Sequence, residues 1–361
     1  MADSEVASQL SGMAHMTHIG LRFKQRPFRL AAAAAATLCL IAPPALAAPF
    51  YKGKVVTLYV GFSAGGGYDL YARTLARYMG RYLPGKPTVV VKNMTGAGGL
   101  RLANWTHSVA PNDGTAFSMF ARVTPFDPLL GDPGAQFKTD KAFTYVGSAN
   151  KEVSVCVSWH TSHIKTFHDM LTKTFIVGSF GPDTDSEQHV HILNRLLGTK
   201  MKLVKGYNGG NDVNLAMQRG EVQGRCGYSW SGIRASHMDW VRNGDIHIIV
   251  QNAVEKHPDL PNVPLIMDMA KTARQKQMLR LAFEPEKMGR PFMAPPHILP
   301  KRLAELRAAF MRTMTDNDFL AMAKKAKLEI SPMSGQAMTR LVRRLYATPR
   351  KLALATGALM R

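Results

Sequence analysis

Two glycine-rich segments contain the residues whose types and spacing suggest ligand binding. Gly65-Gly66-Gly67 lies between a β-rich run and a helical pattern, and Gly96-Ala97-Gly98-Gly99 follows the next predicted strand. Glycines let backbone N–H groups come close to a ligand, and the helix after each loop begins with partial positive charge. Because the loop at Gly65–Gly67 lacks the G-x-G-x-x-G spacing of a dinucleotide site, it predicts either a cradle for a small anion or only a tight strand-to-helix turn.

Motifs for catalysis and metal binding do not fit this chain. The segment 227–231 lacks the second glycine of the G-x-S-x-G nucleophile elbow. The histidines between residues 160 and 191 do not match a metal-ligand spacing with carboxylate or cysteine partners. We therefore expect no catalytic residue, no metal ion and no cofactor, and a protein that is not an enzyme.

Two arginines provide side chains that could pair with a carboxylate. Arg122 comes just after the third predicted strand, and Arg225 lies near the end of a later strand. A guanidinium binds a carboxylate through two parallel hydrogen bonds. A salt bridge inside one lobe explains either arginine equally well, so the sequence leaves both explanations open.

The elements that position these residues alternate between strand and helix. Strands are predicted at 54–61, 88–91 and 115–120, and apolar residues at helical spacing follow both glycine loops. This alternation favours a parallel α/β sheet. After residue 150 a second α/β unit is predicted, with strands at 153–159, 175–178, 202–204 and 221–226.

The last third of the chain is predicted to be mainly helical. A strand at 247–250 is predicted to return to the first unit. Helices are then expected at 301–310, 319–327 and 335–346, where apolar residues recur at helical spacing.

The composition is that of an ordinary globular protein except for its charge. Of the 361 residues 46% are hydrophobic, which excludes a disordered chain, a coiled coil and a fibrous repeat. Lys plus Arg is 46 against 25 Asp plus Glu, a net charge of +21 that favours anionic partners. No nucleic-acid-binding module is recognisable, so nucleic acid is not an expected partner. Residues 271–361 hold 19 of the basic and 6 of the acidic residues. These basic residues either lie on helix faces exposed to solvent or form a patch that meets an anionic surface.

Residues 1–47 have the three parts of a cleavable secretory signal peptide. Basic residues between 22 and 29 precede the uncharged stretch 30–47, which ends in Ala45-Leu46-Ala47. The sequence therefore predicts export to the periplasm. Two cysteines, Cys156 and Cys226, remain after cleavage and meet an oxidising compartment, where they form a disulfide or stay as buried thiols.

Three groups of segments stand in a fixed order behind this signal peptide. They are Val60-Gly-Phe-Ser-Ala-Gly-Gly-Gly-Tyr-Asp69, then Val91-Lys-Asn-Met-Thr-Gly-Ala-Gly-Gly99 with Ala110-Pro-Asn-Asp-Gly-Thr115, then Gly206-Tyr-Asn-Gly-Gly-Asn-Asp212 with Arg219-Gly-Glu-Val222. Together they resemble the Bug/TctC family, the solute receptors of tripartite tricarboxylate transporters, over about residues 50–345. Gly61 stands where the family has a proline, Lys92 where it has a glutamate, and Met94-Thr95 where it has an Arg-Pro pair. These differences do not change the expected fold, but they mean that the resemblance does not identify the ligand.

The resemblance implies a two-lobed α/β fold like that of periplasmic binding proteins. Each lobe would be a β-sheet flanked by helices, and crossing strands would form a hinge between the lobes. Lobe one would comprise 48–150 and 247–345, lobe two 151–246, and 346–361 would be a basic C-terminal extension.

The resemblance also implies a ligand site made of backbone N–H groups, hydroxyls and ordered waters. The matching positions are Phe62, Ser63, Ala64, Gly65, Gly66, Gly96, Ala97, Gly98, Ser179, Thr184, Tyr207 and Asn208. Arg122 joins this set as a candidate from the residues themselves.

The function implied is a periplasmic receptor, expected to be a monomer. It would bind a small carboxylate and deliver it to the membrane subunits of a tripartite tricarboxylate transporter. A first alternative is a ligand-sensing protein that acts with a membrane signalling partner. A second is a secreted hydrolase on a similar α/β frame, which would need a Ser or Cys within hydrogen-bond reach of a His.

Overall fold

The computed structural model describes residues 48–182 and 184–361. The predicted signal peptide, 1–47, therefore lies outside the described residues. Within them, no helix combines the length and the apolar character needed to cross a membrane.

The first sheet forms lobe one. Its strands are β1 (Val55–Val60), β2 (Thr88–Asn93), β3 (Ala116–Met119), β4 (Thr144–Ser148), β10 (Pro291–Ala294) and β11 (Met333–Ser334). They lie in the order β11-β4-β10-β3-β1-β2. β1 is parallel to β2 and β3, whereas β10 is antiparallel to β3 and β4, and β11 is antiparallel to β4.

The second sheet forms lobe two. Its strands are β5 (Ser154–Trp159), β6 (Phe175–Gly178), β7 (Met201–Val204), β8 (Gly224–Ser229) and β9 (Ile246–Asn252). They lie in the order β7-β6-β8-β5-β9. β6 is parallel to β7 and β8, and β5 is antiparallel to β8 and β9.

Helices connect the strands and cover both sheets. In the first half they are α1 (Gly67–Met79), α2 (Leu100–Ser108), α3 (Asp127–Leu130), α4 (Phe167–Thr172), α5 (Asp185–Ile192) and α6 (Gly210–Gln218). In the second half they are α7 (Trp230–Ser236), α8 (Met238–Asn243), α9 (Ala273–Phe283), α10 (Pro300–Thr313), α11 (Asn317–Lys325), α12 (Gly335–Tyr346) and α13 (Arg350–Met360).

Two apolar cores hold these layers together. One lies between the first sheet and α1, α10 and α11, where Leu75, Phe117 and Phe310 are buried. The other begins with Phe120 and Phe143 on lobe one and continues to Phe175 of lobe two. Because this second core is continuous, burial of apolar surface stabilises the two lobes jointly.

The chain passes between the lobes twice, and the two crossing segments are paired by backbone hydrogen bonds. The first crossing joins β4 to β5, and the second ends just before β10. Ala149 N donates to Arg290 O (3.0 Å), Gly289 N to Asn150 O (3.0 Å), and Glu152 N to Glu286 O (2.9 Å). The predicted hinge of crossing strands thus corresponds to a hydrogen-bonded ribbon.

The two-lobed α/β prediction is confirmed, with two corrections to the strands. The strand predicted at 247–250 exists, but it pairs with β5 in the second sheet and does not return to the first. The first sheet is mixed and not purely parallel, because β10 is antiparallel to β3 and β4, and β11 is antiparallel to β4. The strands β4, β10 and β11 were not recognised in the sequence.

The C-terminal segment 346–361, expected to be a basic extension, contains a packed helix. Ala353, Thr356 and Gly357 of α13 are buried, and the helix contacts α3 of lobe one as well as α5 of lobe two. Arg195 Nη1 of lobe two donates to Ala358 O at 2.8 Å. The helix therefore touches both lobes outside the hinge.

Cys156 and Cys226 form a disulfide, one of the two states that the sequence allowed. The cysteines lie on the neighbouring strands β5 and β8, and both are fully buried. Neither sulfur is therefore free to act as the thiol nucleophile of a hydrolase.

The disulfide is expected to stabilise the protein. It closes a loop between residues 70 positions apart, so the double variant Cys156→Ala/Cys226→Ala should lose about 2–4 kcal/mol of unfolding free energy. Urea unfolding with and without a reductant measures this loss. Reductant should lower the midpoint of the wild type and leave that of the double variant unchanged; equal midpoints for the wild type would contradict the prediction.

Candidate ligand-binding site

A cavity of about 730 Å³ lies between the lobes, with walls from both. Lobe one contributes the loop before α1 and the loop before α2, and lobe two contributes the loop before α6 and the strand β8. The aromatic side chains on its walls are those of Phe62, Tyr68, Tyr71, Phe180, Tyr207 and Tyr228. A cavity of this size and mixed polarity is typical of a small-molecule site.

Asp69 and Asn93 hold the two glycine loops of lobe one in place. Asp69 Oδ2 accepts from Gly65 N (2.9 Å), and its Oδ1 accepts from Asn93 Nδ2 (2.8 Å). Asn93 Nδ2 also donates to Phe62 O at 2.8 Å. Burial alone would raise the pKa of Asp69, but hydrogen bonds from Arg73, Gly65 and Asn93 lower it below its usual value. Asp69 is thus a structural anion that shapes the cradle and is not a catalytic acid.

Glycine is required where the two loops meet. Gly99 has φ +99°, a conformation that side chains rarely adopt. A Cβ on Gly61 would lie 3.0 Å from Gly99 Cα, at the limit of a tolerable contact. The sequence difference at Gly61, where the family has proline, therefore lies at this close approach of the loops.

Lobe two presents a helix N-terminus to the same cavity. Gly209 and Gly210 begin α6, and the first N–H groups of a helix have no partner within it. Asp212 Oδ2 accepts from Asn208 N at 3.1 Å, which orders the loop before the helix. The starts of α1 and α6 therefore line one cavity from opposite lobes, and each favours an anion.

Two buried arginines also line the cavity, in different states. Arg290 contacts Glu152 at 3.2 Å, and its guanidinium lies 4.7 Å from the Tyr68 ring centre. Arg225 Nη1 donates to Gly210 O (2.8 Å) and to Asn214 Oδ1 (2.9 Å), both of them neutral groups. Burial lowers the pKa of Arg225 to about 10, which leaves it protonated at neutral pH.

Arg122 lies next to the cavity, in an ion network at the hinge. Its Nη2 donates to Asp185 of lobe two at 2.5 Å, and its Nε lies 3.0 Å from Glu286. Burial alone would lower the pKa of Arg122, but Asp185 and Glu286 raise it well above its usual value. Burial also lowers the pKa of His189 to about 4, so this histidine is neutral.

The same network contains the one group of described residues whose atoms could hold a metal ion. Asp185, His189 and Glu286 offer ligand atoms within 4.8 Å of one another. The guanidinium of Arg122 already provides a positive charge to both carboxylates. Burial raises the pKa of Glu286 to about 8, so Glu286 is largely protonated at neutral pH and the Arg122–Asp185 pair balances the cluster.

Most of the predicted site residues lie together on the cavity wall. These are Phe62, Ser63, Ala64, Gly65, Gly66, Gly96, Ala97, Gly98, Tyr207 and Asn208. Three others do not line it. Ser179 Oγ donates to Glu187 Oε2 (2.9 Å), Thr184 Oγ1 donates to Gly181 O (2.7 Å), and Arg122 is held by its carboxylates. The prediction for Arg122 is corrected because its guanidinium is used in the hinge.

A protein-family model described as "Tripartite tricarboxylate transporter family receptor" matches residues 71–354. The chain belongs to this family. An Agrobacterium vitis protein, the UPF0065 protein in the TAR-I ttuE-ttuC' intergenic region, is 25% identical over 222 residues. That match covers 60% of this receptor and 61% of the relative, so the chain spans somewhat under two thirds of that protein's length.

Solved structures similar to this receptor share its fold. The periplasmic binding protein BugD has a TM-score of 0.66 at 18% identity, covering 84% of this chain and 97% of that one. MatC from Rhodopseudomonas palustris, solved with bound malate, has a TM-score of 0.63 at 20% identity, covering 83% and 98%. A second R. palustris protein, Rpa4515 with adipate, has a TM-score of 0.63 at 17% identity, covering 84% and 97%.

Several residues of the receptor's cavity were missed in the sequence. Arg290 is the last residue of the second crossing, and Tyr71, Asn214 and His237 lie on helices or at helix ends. Nothing local distinguishes them from other core or surface positions. The acid Asp69 was visible within its motif, but the sequence did not reveal that Asp69, on α1, contacts Asn93 at the end of β2.

The hinge network of the receptor gives a stability prediction. Arg122→Met leaves Asp185 without its cation, so the free energy of unfolding should fall by about 3–5 kcal/mol. Urea unfolding measures the change. Adding Asp185→Asn to Arg122→Met should recover part of the loss, since the unpaired carboxylate is then removed.

Arg219→Met is the matched control. Arg219 pairs with Glu221 at 3.8 Å on the surface, and loss of such an exposed pair changes stability by less than about 1 kcal/mol. If Arg122→Met proves as stable as Arg219→Met, the network does not stabilise the hinge.

Proposed function

We propose that the mature chain is a periplasmic receptor that binds a small carboxylate and delivers it to the membrane subunits of a tripartite tricarboxylate transporter. The observation that carries the proposal is the cavity between the lobes, where two glycine loops face the start of α6 and Arg225. Backbone N–H groups, helix N-termini and a guanidinium all favour an anion. Membership of the receptor family agrees with this.

The ligand class has support from two proteins of the same fold. MatC was solved with malate and Rpa4515 with adipate, both small carboxylates. We assign the same class to this receptor because its cavity offers donors of the kind that bind carboxylates and a volume of about 730 Å³. Binding requires no bond to be made or broken.

Closure of the lobes on the ligand is the proposed mechanism. The two walls approach each other closely at the cavity mouth: a Cβ on Gly209 of lobe two would lie 3.6 Å from Ser63 Oγ of lobe one. A ligand that contacts both walls favours the closed arrangement, and the paired crossing segments provide the hinge. The transporter subunits would then recognise the closed receptor.

We further propose that the receptor acts as a monomer and reaches the periplasm through a signal peptide. One chain provides both walls of the cavity, so the site is complete without a second copy. Residues 1–47 would be removed after Ala47, in the pattern of basic, apolar and small residues that signal peptidase requires.

Cleavage at this position is directly testable. Expression of the full chain in a Gram-negative host should give a periplasmic protein whose mass corresponds to a chain beginning at Ala48. Ala47→Arg should block processing, because the residue before the cleaved bond must be small. Uncleaved wild-type protein in the cytosol would contradict the assignment.

Carboxylate binding should appear as a thermal shift. At a ligand concentration about 100 times Kd, the melting temperature of the mature receptor should rise by roughly 5 °C. Screening di- and tricarboxylates, aromatic acids and neutral amides by differential scanning fluorimetry gives the measurement. A shift with amides alone, or with none of these compounds, would reject a carboxylate receptor.

A size series at Gly209 provides the control for closure. Gly209 has an extended backbone that any residue adopts, so substitution there does not strain the chain. Gly209→Ala should keep the ligand-induced shift, whereas Gly209→Leu should reduce it at least threefold by holding the lobes apart. Equal shifts for both variants would show that closure is not needed.

A further inference from the structure

Arg225 is a buried cation with no carboxylate partner among residues 48–182 and 184–361. Only 4% of its surface is exposed. Its Nη1 donates to Gly210 O and Asn214 Oδ1, while Nε is buried and has no hydrogen-bond partner. Burying a charge is unfavourable unless an opposite charge compensates for it, and Asp185, an acid on the same cavity whose charge acts on Arg225, is already paired with Arg122.

The other two large buried guanidinium groups near the cavity are neutralised. Arg122 contacts Asp185 and Glu286, and Arg290 contacts Glu152 at 3.2 Å. Arg225 therefore differs from its neighbours in charge compensation and not in burial. This difference indicates that its counter-ion arrives from outside the protein.

The guanidinium of Arg225 is held rigidly for such a partner. Its centre lies 4.0 Å from the Tyr228 ring centre and 5.6 Å from that of Phe180. Asn214, which accepts from Nη1, also donates to Tyr228 Oη at 3.0 Å and contacts His237 Nε2 at 3.1 Å. Stacking fixes the plane of the group, and the Asn214 contact fixes one edge. Nη2 donates to none of the described residues. The buried Nε has no partner either, but this is equally true of Arg122 and Arg290.

Arg225 and the glycine cradle belong to opposite walls of one cavity. The cradle loops are part of lobe one, whereas Arg225 is on β8 of lobe two. A volume of about 730 Å³ leaves room for a ligand with two separated anionic groups. Such a ligand would bridge the lobes, and a ligand with one anionic group would not.

We propose that Arg225 is the specificity-determining residue that binds a second carboxylate of the ligand while the glycine cradle binds the first. The receptor would thus select dicarboxylates over monocarboxylates of equal length. The inference rests on the proposed function, because it assumes that the cradle binds a carboxylate. Arg225 forms a charge-assisted hydrogen bond with the distal group through Nη2, an interaction stronger than a neutral hydrogen bond.

Calorimetric titration of the mature receptor with matched probes tests this assignment. The dicarboxylates are succinate, glutarate and adipate, and the monocarboxylates of equal length are butyrate, pentanoate and hexanoate. The wild type should bind its best dicarboxylate at least tenfold more tightly than the matched monocarboxylate. Arg225→Gln should weaken the dicarboxylate roughly 10- to 100-fold and change the monocarboxylate less than twofold. Arg225→Lys, which keeps the charge without the planar fork, should fall between them.

The melting temperatures of the ligand-free variants separate binding from folding. Arg225→Gln should not melt below the wild type, because it removes an unpaired buried charge. Arg290→Gln leaves Glu152 without its cationic partner, so this variant should melt several degrees lower than the wild type. A large drop for Arg225→Gln would assign Arg225 a structural role and overturn the proposal.

The titrations also distinguish this inference from the proposed function. If the wild type binds mono- and dicarboxylates equally, or if Arg225→Gln keeps the preference, the carboxylate receptor stands and the Arg225 assignment fails. If the wild type binds neither series, the proposed function and the inference fail together.

Discussion

The guanidinium of Arg122 lies where the chain passes between the lobes, and it contacts one acid of lobe two and one acid of the second crossing segment. Asp185 begins a helix of lobe two, and Glu286 belongs to the second crossing segment. Burial of an ion is costly unless an opposite charge compensates for it, and burial raises the pKa of Glu286 to about 8 even beside Arg122. The contacts of Arg122 connect lobe two to the crossing segments, where backbone hydrogen bonds form the ribbon of the hinge.

The cavity also concentrates positive charge, but Arg225 on its wall, unlike Arg122, is not paired with an acidic side chain of the described residues. Lobe one provides backbone dipoles, shaped by Asp69, and lobe two provides Arg225, which is stacked on Tyr228. Glycine loops are suited to bring N–H groups near an anion but cannot discriminate strongly between anions of different length. Discrimination then depends on a rigid side chain at a set distance from the loops, which is the role inferred for Arg225.

Local patterns explain which parts of this molecule were predictable. The loops at 62–67 and 96–99 were recognisable because their glycines, flanking strand and following helix are adjacent in sequence. The pairing of Arg122 with Glu286 joins residues far apart in the chain, so it depends on the tertiary fold. The two arginines proposed from sequence look alike there, and only their surroundings separate a hinge residue from one on the cavity wall. Strand β9 was detected, but its sheet was wrong because neighbours in a sheet are set by long-range pairing.

The C-terminal helix adds a consequence for mechanics. The approach of α13 to α3 is close enough that a Cβ on Gly357 would lie 1.8 Å from Leu130 O, while Arg195 of lobe two holds the other side of the helix. Two lobes joined only by the hinge ribbon could bend and twist relative to each other, whereas the contacts of α13 with both lobes restrict these motions. Closure of the lobes, as proposed for ligand binding, would therefore also move α13 relative to at least one lobe, so that a change inside the cleft would reach the C-terminal helix.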